Sequence, residues 1–172
     1  MNLQEASSYL GAVRAVELAC FRRLGERARW LEPASCVRWA ASASLAHAWR
    51  ATELEGLLPV SVGLPGPYEL TVLPGGVLGD ELARALPEAP GELVGGEFRD
   101  SPTVSGPRLV VDLVERLYPL LAGEYARHLE SPGPASDGPM LRCMGRAAAD
   151  LEAIRADGAA LCIRHGWSAT TR

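Results

Sequence analysis

Four titratable side chains of this sequence are predicted to face the interior of a helical protein, where they could transfer protons. Turned at about 100° per residue, the helical stretches place Glu17 and His47 in or at the edge of the apolar faces of the first two helices, and Glu124 and His128 in that of the third. Burial raises the pKa of a glutamate, and histidine titrates near neutrality. We therefore predict that these four residues act as general acids and bases.

Five further side chains are predicted to bind a substrate next to these four. Ser44 lies on the inner face of the second helix, and Tyr118 and Tyr125 lie on the third. Asp150 and Arg155 flank the apolar face of the fourth helix. Hydroxyl, carboxylate and guanidinium groups around an apolar cavity are typical of a small-molecule site.

Four amphipathic helices are predicted to carry these residues. They span about 4–30, 33–58, the SGPRL stretch at 105–109 to about 130, and the SDGPML stretch at 136–141 to about 164. A proline- and glycine-rich connection, 59–107, separates the second helix from the third; within it, GDELARALPE predicts a short helix and PYELTVLP a strand. The pattern predicts one all-α domain, 1–172: a four-helix bundle with a long crossover that packs over it.

The composition excludes several classes of function. The net charge of −4 offers no basic surface for nucleic acid, and no apolar run is long enough to span a membrane. Lysine is absent, which excludes Schiff-base catalysis and a lysine-dependent phosphate-binding loop. The N-terminus lacks the pattern of a signal peptide and the four cysteines form no Cys-x-x-Cys pair, so we expect a cytoplasmic protein with reduced thiols.

Three segments resemble small actinobacterial members of the ferritin-like superfamily. They read AVELACFRRLG, LAHAWRATELEGLLP and LYPLLAGEYARHLESPGPASDGPMLR. Bundles of that superfamily hold two metal ions with a glutamate from each of two helices and a Glu-x-x-His pair from each of the other two. The resemblance implies the same bundle, with its crossover between helices two and three.

The resemblance also implies that the dinuclear site is degenerate. Glu17 matches the glutamate of the first helix, and Glu124 that of the third. The pair on the second helix reads Ser44-x-x-His47, with serine in place of glutamate, and the corresponding pair on the fourth helix is leucine and isoleucine. We therefore expect no metal and no other cofactor.

The sequence favours one function and leaves two open. The favoured one is a cytoplasmic ferritin-like protein that binds and transforms a small metabolite by metal-free acid–base chemistry, as an isomerase, lyase or cyclase of secondary biosynthesis. A mononuclear non-haem iron enzyme using Glu17, His47, Glu124 and His128 is the first alternative. A non-catalytic interaction subunit is the second. In every case we expect a homodimer and neither nucleic-acid nor membrane partners.

Overall fold

The computed structural model describes residues 3–60, 65–88, 105–130 and 138–168, and every regular element within these ranges is a helix. No helix among them is both long and apolar enough to cross a lipid bilayer. The fifth helix is continuous but contains a π-helical turn in its middle. The helices are α1 (Leu3–Ala28), α2 (Ala34–Glu55), α3 (Pro67–Leu70), α4 (Gly76–Ala85), α5 (Gly106–Asp112, the π turn Leu113–Leu117, and Tyr118–Glu130) and α6 (Gly138–His165).

The four long helices agree with the predicted ones to within a few residues, but the predicted strand is wrong. Pro67 begins a single helical turn, which its fixed φ favours at this position. The Glu69 carboxylate accepts a hydrogen bond of 2.7 Å from the Gly66 amide and closes that turn. The short helix predicted within GDELARALPE is confirmed as part of α4.

The helices α1 and α2 form an antiparallel hairpin. Glu17 pairs with Arg50, and Arg14, nearer the start of α1, pairs with Glu55, nearer the end of α2. A five-residue turn joins the two helices, which fits the short connections found between antiparallel neighbours.

The helix α5 runs in the same direction as α2. Gly106, at the start of α5, lies against Cys36 near the start of α2. Further along both helices, the Tyr118 hydroxyl oxygen lies 3.1 Å from a His47 ring nitrogen. Two successive long helices with the same direction need a long connection that returns across the molecule.

The described part of this connection packs on α1, as predicted. A Cβ atom on Gly11 would lie 2.1 Å from the carbonyl oxygen of Leu70, so only glycine allows this approach. Further on, Leu82 and Leu86 are buried, and the Arg23 guanidinium donates a 2.7 Å hydrogen bond to the Leu86 carbonyl. The described part of the connection therefore contacts α1 near both Gly11 and Arg23.

The helix α6 packs antiparallel to α2. The Trp39 indole N–H donates a 3.1 Å hydrogen bond to the Ile154 carbonyl, and Glu53 pairs with Arg146. Gly158 makes the approach possible, because a Cβ atom there would lie 2.9 Å from the Trp39 ring. This contact buries Trp39.

The buried face of α2 includes an arginine. Ser44 and His47 are buried, as predicted, and Arg50 is buried with them. Ala41 and Trp49 are exposed. An arginine on the inner face interrupts the apolar stripe, and the stripe is the signal from which helix rotation is predicted.

The π-helical turn of α5 sets the position of Tyr118. Pro119 has no N–H group, and the Tyr118 N–H bonds to the Leu113 carbonyl, five residues back. The ring of Tyr118 is fully buried directly after this turn. A π turn of this kind often marks a site of special geometry.

Candidate functional site

The centre of the protein holds a buried carboxylate with three hydrogen-bonding partners. Glu17 Oε2 lies 2.6 Å from His47 Nδ1, and Arg50 Nε lies 3.0 Å from both Glu17 oxygens. The Tyr125 hydroxyl donates to Glu17 Oε1. Glu17, His47 and Tyr125 have no exposed surface, and Arg50 has almost none. Together with Tyr118 we call these residues the central network.

The hydrogen bonds assign the tautomer of His47. Because Glu17 is an acceptor only, the proton of the ring lies on Nδ1 and is donated to the carboxylate. The other nitrogen, Nε2, then accepts from the Tyr118 hydroxyl at 3.1 Å. Arg50 Nη2 lies 2.8 Å from Nδ1, a contact that cannot be a hydrogen bond in this tautomer.

Burial and charge move the pKa values of the central network away from neutrality. Burial by itself raises the pKa of Glu17, but His47 and Arg50 outweigh it and lower the pKa to about 2. Burial lowers the pKa of His47, against the opposing effect of Glu17. Burial also raises the pKa of Tyr118 and Tyr125 well above the usual value. At pH 7 the network therefore holds one carboxylate, one guanidinium and three neutral groups.

Arg50 supplies the positive charge that makes burial of Glu17 possible. An unpaired carboxylate in an apolar interior costs several kcal/mol, on the order of the stability of a small domain. Arg50 was not predicted from the sequence, although it lies three residues after His47 and so on the same side of α2. The Nη1 atom of Arg50 is buried and has no hydrogen-bond partner among the described residues.

The structure does not bring Glu124 and His128 to this network. The side chain of Glu124 is partly exposed and pairs with Arg127. His128 is buried elsewhere, with its ring stacked on that of Tyr9 at 4.8 Å between centroids. The four predicted acid–base residues therefore do not come together in one site. Tyr125 faces the core, and Glu124, the residue before it, is rotated by about 100° around the helix.

The predicted substrate-binding residues also separate. Tyr118 and Tyr125 belong to the central network, as described above. Ser44 is buried one turn from His47, but its hydroxyl donates a 2.8 Å hydrogen bond to the Phe21 carbonyl. Asp150 is exposed, and Arg155 pairs with Glu152 on the surface of α6, so neither reaches the core.

The donor set for a metal is incomplete in the described ranges. No three His, Cys, Asp or Glu side chains there come together in a way that could hold a metal ion. Glu17 and His47 are adjacent, but the cation that contacts Glu17 is the guanidinium of Arg50. The four-residue iron site considered from the sequence therefore does not assemble. The four cysteines are buried and free.

Comparisons with known proteins give no relative for this chain. No protein-family model matches it, and neither a curated protein nor a solved structure does.

Proposed function

We propose that this chain is a ferritin-like four-helix bundle whose dinuclear metal site has been replaced by the central network, and that it acts as a non-catalytic binding protein. The helix directions support the architecture. The second and third long helices are parallel, so a long crossover must join them, which is the connectivity of ferritin-like bundles.

A single observation carries the proposal: the guanidinium of Arg50 neutralises the buried carboxylate of Glu17. In a metal-binding bundle, inward carboxylates are neutralised by the metal ions. Here a side chain supplies the charge, and it contacts both carboxylate oxygens. A metal ion in that position would meet a fixed cation and two ligands at most.

The pKa values also favour a non-catalytic role. A general acid or base works best when its pKa lies near the working pH. Glu17, with a pKa of about 2, remains ionised at pH 7, while burial holds His47 in its neutral form. Neither group is exposed to solvent, where it could meet a substrate.

A second candidate is the metal-free acid–base enzyme expected from the sequence, acting on a small biosynthetic metabolite. The unpartnered Nη1 of Arg50 favours it, because a buried donor without an acceptor could bind a polar group of a substrate. The chain Tyr118–His47–Glu17 has the order of groups in a proton relay. This candidate requires the helices to open, since the network has no exposed surface that a substrate could reach.

The first experiment loads the protein with Fe(II) under anaerobic conditions and measures the bound metal by mass spectrometry. Wild type, Glu17→Gln and the control Glu124→Gln are compared. We expect the same substoichiometric amount in all three, because Arg50 occupies the charge-compensating position. About one equivalent of iron in wild type that is lost only in Glu17→Gln would overturn the proposal.

The same Glu17→Gln protein separates the two candidates by its free energy of unfolding. Catalytic groups are usually held at a cost in stability, so replacing one often stabilises the protein. A structural ion pair behaves in the opposite way. We expect Glu17→Gln to unfold at lower urea concentration than wild type; a more stable variant would instead support the enzyme.

The homodimer expected from the sequence stays a prediction.

A further inference from the structure

An open groove of about 610 Å³ lies on the surface between the end of α2 and the first turns of α6. Its size is within the range of about 300–1,000 Å³ that is usual for small-molecule sites. Leu57, Pro139 and Ala149 give it an apolar lining. The groove contains no residue of the central network.

The charges at the groove are unevenly compensated. Arg146 lines it and pairs with Glu53 at 2.6 Å. Arg142 also lines it, but it has no ion-pair or hydrogen-bond partner among the described residues. Among the described residues, the groove thus carries one guanidinium, that of Arg142, without a carboxylate partner.

The start of α6 adds to this positive charge. Arg142 folds back over the first turn of α6, so that its Nη1 lies 2.8 Å from the position of a Cβ atom on Gly138. The first turn contains no acidic residue. The N-terminus of a helix carries a partial positive charge, which normally favours acidic side chains or anions. Arg142 adds a second positive charge at this point, where an anion is favoured.

We propose that this groove binds a small organic anion with an apolar tail, such as a medium-chain carboxylate. The carboxylate pairs with Arg142 beside the first turn of α6. The tail lies against Leu57, Pro139 and Ala149, where it loses contact with water. The proposal depends on the groove alone, so it can fail or hold independently of the role of the central network.

The test measures binding of octanoate by isothermal titration calorimetry. Octan-1-ol is the neutral probe of the same length, and inorganic phosphate is the anion without a tail. We expect saturable binding of octanoate, with both other probes about tenfold weaker or more. Arg142→Ala should weaken octanoate binding about tenfold and leave octan-1-ol unchanged, since a charge-assisted hydrogen bond is lost.

A second variant tests the location of the tail. Gly145 lines the groove, and a Cβ atom there would have no neighbour within 4 Å, so Gly145→Leu introduces a larger side chain at the groove without a clash at its Cβ atom. We expect it to abolish octanoate binding. The controls are Gly123→Leu, an equally open helical glycine on α5, and Arg155→Ala, an ion-paired arginine of α6 outside the groove.

Three results would overturn the proposal. The first is no saturable binding of octanoate at millimolar concentration. The second is equal affinity for octanoate and octan-1-ol, which would show that Arg142 does not hold the carboxylate. The third is equal loss of binding in the two control variants. Phosphate binding as tight as that of octanoate would also contradict it, because the site would then bind any anion.

Discussion

Glu17 and Glu124 are glutamates on two helices of the same core, but their burial and their ion-pair partners differ. Glu17 is fully buried and is held by Arg50, which comes from the neighbouring helix. Glu124 is partly exposed and is paired with Arg127 on its own helix. The difference lies in which helix supplies the cation and in how much water reaches the pair.

This contrast shows why only one of the two pairs can matter for stability. An ion pair between neighbouring side chains on the surface of one helix does not depend on packing against another helix, and water screens it. The pair of Glu17 and Arg50 exists only when α1 and α2 are packed. Each of its members, left alone in the core, would be an uncompensated buried charge.

The largest expected effect comes from removing the two arginines in turn. We expect Arg50→Met to lower the free energy of unfolding by about 3–5 kcal/mol, because it leaves the Glu17 carboxylate buried without a cation. The exposed counterpart Arg127→Met should change it by less than about 0.5 kcal/mol. Urea denaturation followed by circular dichroism measures both.

If Arg50→Met alone fails to fold, the double variant Glu17→Leu with Arg50→Met tests whether the unpaired charge causes the loss of stability. Removing both side chains leaves no unpaired charge in the core, so we expect the double variant to be more stable than Arg50→Met. If the double variant is no more stable, the loss comes from the packing of the arginine stem and the charge argument is wrong.

The pH dependence of stability gives the next largest effect. The pKa of Glu17 falls from its ordinary 4.5 to about 2 on folding, so its contribution is fully present above pH 4.5 and is lost as the pH falls toward 2. The shift corresponds to about 3 kcal/mol. Unfolding free energies measured between pH 6 and pH 2 should therefore converge for wild type and Glu17→Gln at the acid end. A constant difference over this range would contradict the ion pair.

His47 adds a second pH range, beginning above that of Glu17, in which stability falls as the pH is lowered. Its folded-state pKa lies below the ordinary 6.5, so the unfolded chain binds a proton that the folded protein excludes, and stability begins to fall below pH 6.5. In His47→Gln this upper part of the decline should be missing. The decline due to His47 begins at a higher pH than that due to Glu17, because the ordinary pKa is 6.5 for His47 and 4.5 for Glu17.

The sequence was sufficient for the helices and for four of the five residues of the central network. Apolar periodicity identified four long helices, and the buried Glu17 and His47 stood out because they are polar residues within apolar stripes. The same periodicity could not identify Arg50, because an arginine is normally an exposed residue and only its partner on α1 explains its burial. It also misplaced Glu124, since the π turn of α5 changes the angular position of every residue that follows it.

The smallest expected difference compares two tyrosine hydroxyls that serve the two glutamates. Tyr125 donates to the Glu17 carboxylate in the core, whereas Tyr9 donates a 3.0 Å hydrogen bond to the backbone carbonyl of Glu124. A hydrogen bond to a charged group contributes about 1.5–3 kcal/mol, and one to a neutral group about 0.5–1.5. Tyr125→Phe should therefore lower the free energy of unfolding by about 1 kcal/mol more than Tyr9→Phe, as measured by urea denaturation.

Both substitutions keep the ring, including the stacking of residue 9 on His128, so the hydroxyl alone is compared. Equal losses would mean that Tyr125 is not needed to stabilise the carboxylate, and that Arg50 and His47 compensate its charge between them.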